Sequence, residues 1–375
     1  MAGIYLHIPY CKQKCSYCDF HFSTNLQSKS EMVKAICKEI GLRKNEITSP
    51  IETIYFGGGT PSILNEIELL EIFNQLHKNF NLSHLKEVTL EANPDDLTKE
   101  KLAFFKTTPI NRFSIGIQSF YEEDLRLMNR AHNAMEAETC IKLAQDFGFE
   151  NLTIDLIYGS NTTTHDMWHH NLQKAIDLNI NHISSYALTV EEKTILNRKI
   201  EKGEWKPIND QHQSDQFDYL VQFLAKNGFI QYEISNFGKP GFFSQHNSNY
   251  WKGIPYLGIG PSAHSYLGTQ RAWNIANNAS YIKSIQENKL PIEIEDLSIE
   301  DQFNEYVMIG LRTIYGINPS EIEKRFGNKI TNHFKTEIKA LFEENLIQQT
   351  EDKIILTEKA KFFADGIASR LFYID

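Results

Sequence analysis

Two hydrophobic periods alternate along the chain. Short β-branched or aromatic runs at residues 3–8 (GIYLHI), 53–59 (TIYFGGG), 87–94 (EVTLEANP), 112–119 (RFSIGIQS), 151–159 (NLTIDLIYG) and 182–190 (HISSYALTV) each end in glycine or polar residues. Such near-continuous runs predict strands buried on both faces, the form that parallel sheets take. Between them, residues 30–44, 65–80 and 134–149 carry apolar positions at helical spacing, with Ser30 and Asn65 suited to cap first turns. Six βα units with right-handed crossovers predict an α/β fold, either an open doubly wound sheet or a partial barrel. In both, chemistry gathers at the C-terminal ends of the strands. The distinctive residues follow that rule: Cys11 after the first strand, Gly57 to Thr60 at the second, Glu91 to Pro94 at the third, Gln118 and Ser119 at the fourth, and Asp155, Tyr158 and Gly159 on or beyond the fifth.

The alternation continues through a helical stretch at 210–228 into 229–237, then gives way to a Gly/Pro/aromatic stretch expected to be irregular. From about residue 298 the pattern is helical again at 299–314 and 331–347, followed by a two-strand signal at 344–357. The expected organisation is a core over 1–236, an irregular aromatic segment over 237–297 and a helical, winged-helix-like unit over 298–375.

Composition narrows the class. With 41% hydrophobic and 23% charged residues over 375 positions, the chain reads as soluble and globular. A net charge of -10 argues against broad electrostatic binding to nucleic acid or anionic lipid. No signal-like N-terminus and no apolar stretch long enough to span a bilayer is read, so the expected location is the cytoplasm. Five cysteines are present, three of them within eight residues, which is no disulfide framework.

Cys11, Cys15 and Cys18, in the spacing C-x3-C-x2-C, place three thiolates on one loop after a strand. Three thiolates can hold three irons of a cubane [4Fe-4S] cluster and leave the fourth iron open to an external ligand. Zinc bound by the three cysteines and a histidine, His7 or His21, is the alternative. Cys37 and Cys140 lie in amphipathic helical stretches and read as core residues. His165, His169 and His170 share a helical stretch without an accompanying carboxylate pattern and read as a solvated face.

This loop resembles the signature of the radical S-adenosylmethionine (SAM) superfamily. With 57-GGGTP, 91-EANPDD, 112-RFSIGIQSF, 129-NRAH and 231-QYEISNF, the chain is similar over nearly its whole length to the oxygen-independent coproporphyrinogen III oxidase family. The resemblance implies a radical-SAM (β/α)6 partial TIM barrel with the C-terminal unit added. The oxidase proper carries a further cysteine two residues past the third; here that residue is Phe20. The branch with phenylalanine there and an H-N-x-x-Y-W element, present as His246 to Trp251, resembles heme chaperones. This implies heme binding and an unidentified heme-acceptor protein, with a homodimer also expected. Oxidative decarboxylation of a porphyrinogen propionate, begun by a 5′-deoxyadenosyl radical, is the enzymatic alternative.

Carried residue by residue, the resemblance implies cluster ligation by Cys11, Cys15 and Cys18 and SAM contacts at Tyr5, Tyr17, Gly58, Gly59, Thr60, Glu91, Gln118, Arg130 and Asp155. Gly57 to Gly59 leave the backbone free to approach a ligand. Glu91 suits the ribose hydroxyls, and Arg130 suits the SAM carboxylate. His246, with Asn247, Tyr250 and Trp251, is the implied heme element; a loop in which these residues fill the core is the competing reading. His264 and Tyr256 compete with it for heme. After Gly159 the family's usual sequence is replaced by 160-SNTTTH, a departure at the fifth strand's loop.

Overall fold

The computed structural model describes residues 1–374. Six strands run in chain order and pair in parallel with their sequence neighbours: β1 (Ala2–Ile8), β2 (Ile51–Gly58), β3 (Glu87–Ala92), β4 (Arg112–Gln118), β5 (Leu152–Tyr158) and β6 (His182–Ala187). A doubly wound sheet would reverse its order at some strand. The order 1-2-3-4-5-6 without reversal is barrel winding, and β1 and β6 do not meet, so the barrel is partial. The connecting helices are α1 (Lys29–Leu42), α2 (Glu66–Asn79), α3 (Lys99–Phe105), α4 (Glu122–Leu127), α5 (Ala134–Asp146), α6 (His165–Asp177), α7 (Ile195–Glu201) and α8 (Asp210–Lys226).

Alternation along each strand sorts two chemistries. Ile4, Leu6, Ile54, Phe56, Val88, Leu90, Phe113, Ile115, Ile154 and Leu156 form one buried set in a core shared with the helices. Fully burying each such side chain stabilises by roughly 1.5–3 kcal/mol. The alternate residues, Tyr5, Thr53, Tyr55, Glu87, Glu91, Arg112, Ser114, Asp155 and His182, form a polar inner face. Its groups pair with one another: the Arg112 guanidinium donates to Asn151 Oδ1 and Thr153 Oγ1, and His182 Nε2 meets Tyr232 Oη at 2.7 Å.

Asn65 caps α2 as expected, in a capping box with Glu68. Ser30 does not cap α1. That helix starts at Lys29 with Ser28 at the cap position, whose hydroxyl instead meets Tyr10 Oη at 2.7 Å.

The stretch expected to be irregular is ordered. After β7 (Ile230–Glu233) and β8 (Asn236–Gly238) come α9 (Gln245–Trp251), β9 (Tyr256–Ile259), β10 (His264–Tyr266), β11 (Gln270–Asn274), α10 (Asn278–Gln286) and β12 (Ile292–Asp296). β8 pairs antiparallel with β6, while β9 pairs parallel with β1 and extends the sheet through β10 and β11 to β12. These strands are three to five residues long, and glycine and proline punctuate them, which masks their period from a sequence reading.

The last segment has its own hydrophobic core, from Phe303 to Leu371. It comprises α11 (Ile299–Leu311), α12 (Pro319–Glu343, kinked at Gly327), the hairpin β13 (Ile347–Thr350) and β14 (Lys353–Leu356), and α13 (Ala364–Ser369). Helices around a small hairpin match the winged-helix-like expectation.

Candidate functional site

Past Ile8 the chain enters a loop whose three cysteines, all half-buried, line one cleft of about 500 Å³ at the C-terminal ends of the strands. The loop is anchored on several sides. Asn129, in the left-handed region at φ 53, donates through Nδ2 to Lys14 O at 2.7 Å and accepts at its carbonyl from Gln13 Nε2 at 2.8 Å. Ser16 bonds Met128 O through its amide and Leu127 O through its hydroxyl. Lys12 Nζ reaches Asp95 at 2.7 Å and Asp96 at 2.5 Å.

Two donors address the sulfurs: Thr60 Oγ1 lies 3.4 Å from Cys11 Sγ, and Arg130 Nη1 lies 3.2 Å from Cys15 Sγ. Burial pushes the Cys11 and Cys18 thiols up to about 11, and a bound cation would reverse that shift. No three His, Cys, Asp or Glu side chains among the described residues form a group suited to one metal ion. Three thiols on one loop facing a shared cleft are a donor set that fits an iron–sulfur cluster.

The glycine run is sterically required. A Cβ on Gly57 would lie 2.9 Å from the Tyr5 and Tyr55 rings, and one on Gly58, at φ 105, would lie 2.7 Å from His7. A Cβ on Gly59 would lie 2.6 Å from the Tyr10 carbonyl oxygen. Gly59 N donates to Ile8 O at 2.9 Å and Thr60 N to Tyr10 O at 2.7 Å, which joins this run to the start of the cysteine loop.

Glu91 and Asp155 are the carboxylates at the strand ends that face the cleft. Burial, with Asp155 nearby, pushes Glu91 up to about 8, although Tyr55 Oη donates to its Oε1 at 2.8 Å. Burial likewise raises Asp155 to about 6 against its bond from Ser114 Oγ at 3.3 Å. Arg130 spends Nη2 on Asn93 Oδ1 at 2.6 Å and Gly116 O at 2.8 Å, while its buried Nε has no partner among the described residues. A guanidinium lining the cleft suits an anionic ligand.

Of the sequence-derived positions, Tyr17, Gly58, Gly59, Thr60, Glu91, Gln118, Arg130, Asp155 and the three cysteines line this cleft together. Tyr5 does not; it is stacked against Tyr55 with ring centroids 6.1 Å apart and meets His7 Nδ1 through its hydroxyl at 3.3 Å. His246 is also elsewhere. It is 1% exposed on α9 inside the barrel floor, with Nδ1 2.8 Å from Thr53 Oγ1 and Nε2 2.7 Å from Tyr250 Oη. In that arrangement neither ring nitrogen is open to iron, so the core-filling reading of this element describes its geometry.

Tyr186, which lines the cleft, and Tyr55, which reaches it through Glu91, are residues that sequence reasoning missed. The alternation Thr53, Tyr55, Gly57 pointed Tyr55 inward and was the available signal. His169 is stacked on Tyr219 at 3.5 Å and His165 lies edge-on to His212, both on the outer helices. Cys140 is buried in α5, and Cys37 packs against the main core.

Comparison with known proteins places the chain among relatives. Residues 5–175 match the Radical SAM superfamily model and residues 297–363 the HemN C-terminal domain. The chain is 32% identical over 371 residues to the heme chaperone HemW of Bacillus subtilis (strain 168), covering 98% of each chain. It is 33% identical over 372 residues to that of Lactococcus lactis subsp. lactis (strain IL1403), covering 99% of this chain and 97% of the relative. In fold it is similar to the solved Escherichia coli coproporphyrinogen III oxidase HemN, a radical SAM enzyme, with a TM-score of 0.86, 23% identity, and coverage of 99% and 90% of the two chains.

Proposed function

This chain belongs to the heme chaperone HemW family, and on that premise we propose that it binds heme and delivers it to an acceptor protein. Cys11, Cys15 and Cys18 would hold a [4Fe-4S] cluster, which would supply an open iron site for SAM. Arg130 and Gly58 to Thr60 address the methionine end, Glu91 and Asp155 the ribose side, and Tyr17 and Gln118 complete the wall. Tyr5 acts from behind through Tyr55. The convergence of these side chains on one cleft supports that reading.

The observation that carries the chaperone over the oxidase is Phe20. Its ring is 68% exposed and lines the same cleft, at the position where the oxidase pattern places a fourth cysteine. An apolar ring there can pack on a porphyrin but cannot exchange a proton or an electron pair with a substrate.

The proposed organisation is a radical SAM core over 1–236, a sheet-extending segment over 237–297 and a C-terminal unit over 298–375, supported by the separate core of the last. A cytoplasmic location and a homodimer belong to the same reading; no helix among the described residues is long and apolar enough to cross a membrane.

Anaerobic incubation of cluster-loaded protein with coproporphyrinogen III, SAM and a reductant tests the assignment. No protoporphyrinogen is expected. Stoichiometric product would overturn the chaperone reading in favour of the oxidase.

A further inference from the structure

We propose that Asn93 is a positioning residue for the cysteine loop: its side-chain amide aims the Thr60 hydroxyl at Cys11 and the Arg130 guanidinium at Cys15, and so raises the reduction potential of a cluster held there. The inference rests on the cluster reading of the three cysteines and adds to it a residue that acts through two others.

Chemistry fixes which way the amide points. A guanidinium only donates, so the oxygen of Asn93 must face Arg130, and Arg130 Nη2 donates to Asn93 Oδ1 at 2.6 Å. The nitrogen therefore faces Thr60, where Asn93 Nδ2 donates to Oγ1 at 3.2 Å. A hydroxyl has one hydrogen, and the amide nitrogen, a donor only, cannot take it. The Thr60 hydrogen is thus left for Cys11 Sγ, 3.4 Å away. On the other side, Arg130 Nη1 lies 3.2 Å from Cys15 Sγ. One amide thereby sets the donors to two of the three sulfurs, while Cys18 takes its hydrogen bond from the Phe20 backbone.

Asn93 is itself held in place. Pro94 confines the residue before it to extended backbone, and Asn93 sits there at φ -91 and ψ 150. Its backbone N donates to Ser62 Oγ at 3.4 Å, and its carbonyl accepts from Asp96 N at 3.0 Å. Ser62, fully buried, donates through Oγ to Asp96 Oδ2 at 2.7 Å, and Asp96 in turn pairs with Lys12 of the cysteine loop. Gly116 keeps the space beside the amide open: a Cβ there would lie 3.0 Å from Arg130 Nη2 and 3.5 Å from Asn93 Oδ1. Arg130 Nη2 also donates to the Gly116 carbonyl at 2.8 Å, which fixes the guanidinium from a second side. Supporting groups of this kind hold a ligating shell in its working geometry.

Hydrogen bonds to cluster sulfurs draw negative charge off the thiolates and favour the reduced state, which carries one more electron. An amide, accepting at one end and donating at the other, serves Arg130 and Thr60 together. Aspartate has the same shape but two acceptors. It would keep Arg130, take the Thr60 hydrogen for itself and turn it away from Cys11.

The test is an anaerobic redox titration of the cluster-loaded full chain without SAM, followed by electron paramagnetic resonance, for wild type, Asn93→Ala, Thr60→Val and the double variant, with iron and sulfide counted in each. Asn93→Ala should lower the midpoint potential by at least the equivalent of a tenfold change in the reduction equilibrium, about 59 mV for one electron. In the Thr60→Val background the same substitution should lower it by less, because one of its two routes is gone. An unchanged midpoint with full iron and sulfide, or equal falls in both backgrounds, would overturn the positioning role and leave the cluster and chaperone readings standing. Asn93→Asp, which keeps the shape and the Arg130 contact, decides the matter if the alanine variant loads no cluster: its fall should also shrink in the Thr60→Val background, and equal falls would overturn the role. A wild type that holds no cluster would overturn the cluster reading as well.

Discussion

Tyr55 donates its phenolic hydrogen to Oε1 of Glu91 at 2.8 Å, while its ring is stacked on His246 with centroids 5.1 Å apart. One side chain therefore links the helix in the barrel floor to a carboxyl in the cleft. Removing the hydroxyl leaves Glu91 buried without that donor, at a penalty of roughly 1–3 kcal/mol. Tyr55→Phe should weaken SAM binding by about 5- to 150-fold on that scale, read by anaerobic calorimetry on cluster-loaded protein. Equal affinities would mean that Glu91 needs no orienting partner.

Gly59 leaves no room for a side chain, because its Cβ would lie 2.6 Å from a backbone oxygen of the cysteine loop rather than from a side chain able to move. Gly59→Ala should fold and yet reconstitute with a small fraction of wild-type iron and sulfide. Full reconstitution at about four of each per chain would show that the loop tolerates displacement.

Burial holds His7 down to about 4 and His132 and His246 down to about 3. The unfolded chain protonates each near pH 6.5. The folded chain resists until about pH 3 to 4, so it binds fewer protons across that window and stability falls as the pH drops through it. Each group contributes on the order of 2 kcal/mol of loss between pH 7 and pH 5. Urea midpoints should fall over that range, less steeply in His246→Gln than in wild type; parallel slopes would show that His246 is not held neutral.

Arg43 is paired with fully buried Glu39 at 3.1 Å and also bonds Gly258 O. Arg43→Ala strands a carboxylate in the core and should cost about 3–5 kcal/mol in chemical denaturation. A loss below about 1 kcal/mol would mean that solvent reaches the pair.

The parallel strands and their helices were legible because buried strands and amphipathic helices leave strong periods, as at 53–59 and 65–80. The cysteine loop was legible because three thiols so close together have few other uses. The extension was not: β10 spans three residues and is held at Ser265 Oγ by Arg43, more than two hundred positions away, a long-range contact that no local pattern encodes. His246 was ambiguous for a related reason. An H-N-x-x-Y-W element looks alike whether its histidine faces a ligand or the core, and only the Thr53 and Tyr250 contacts decide which it does.

Heme titration of the anaerobically reconstituted wild-type chain tests the central claim most directly. Saturable uptake of one heme per chain, with the cluster absorbance preserved, is the expected result. No Soret change at micromolar heme while the cluster stays intact would contradict it.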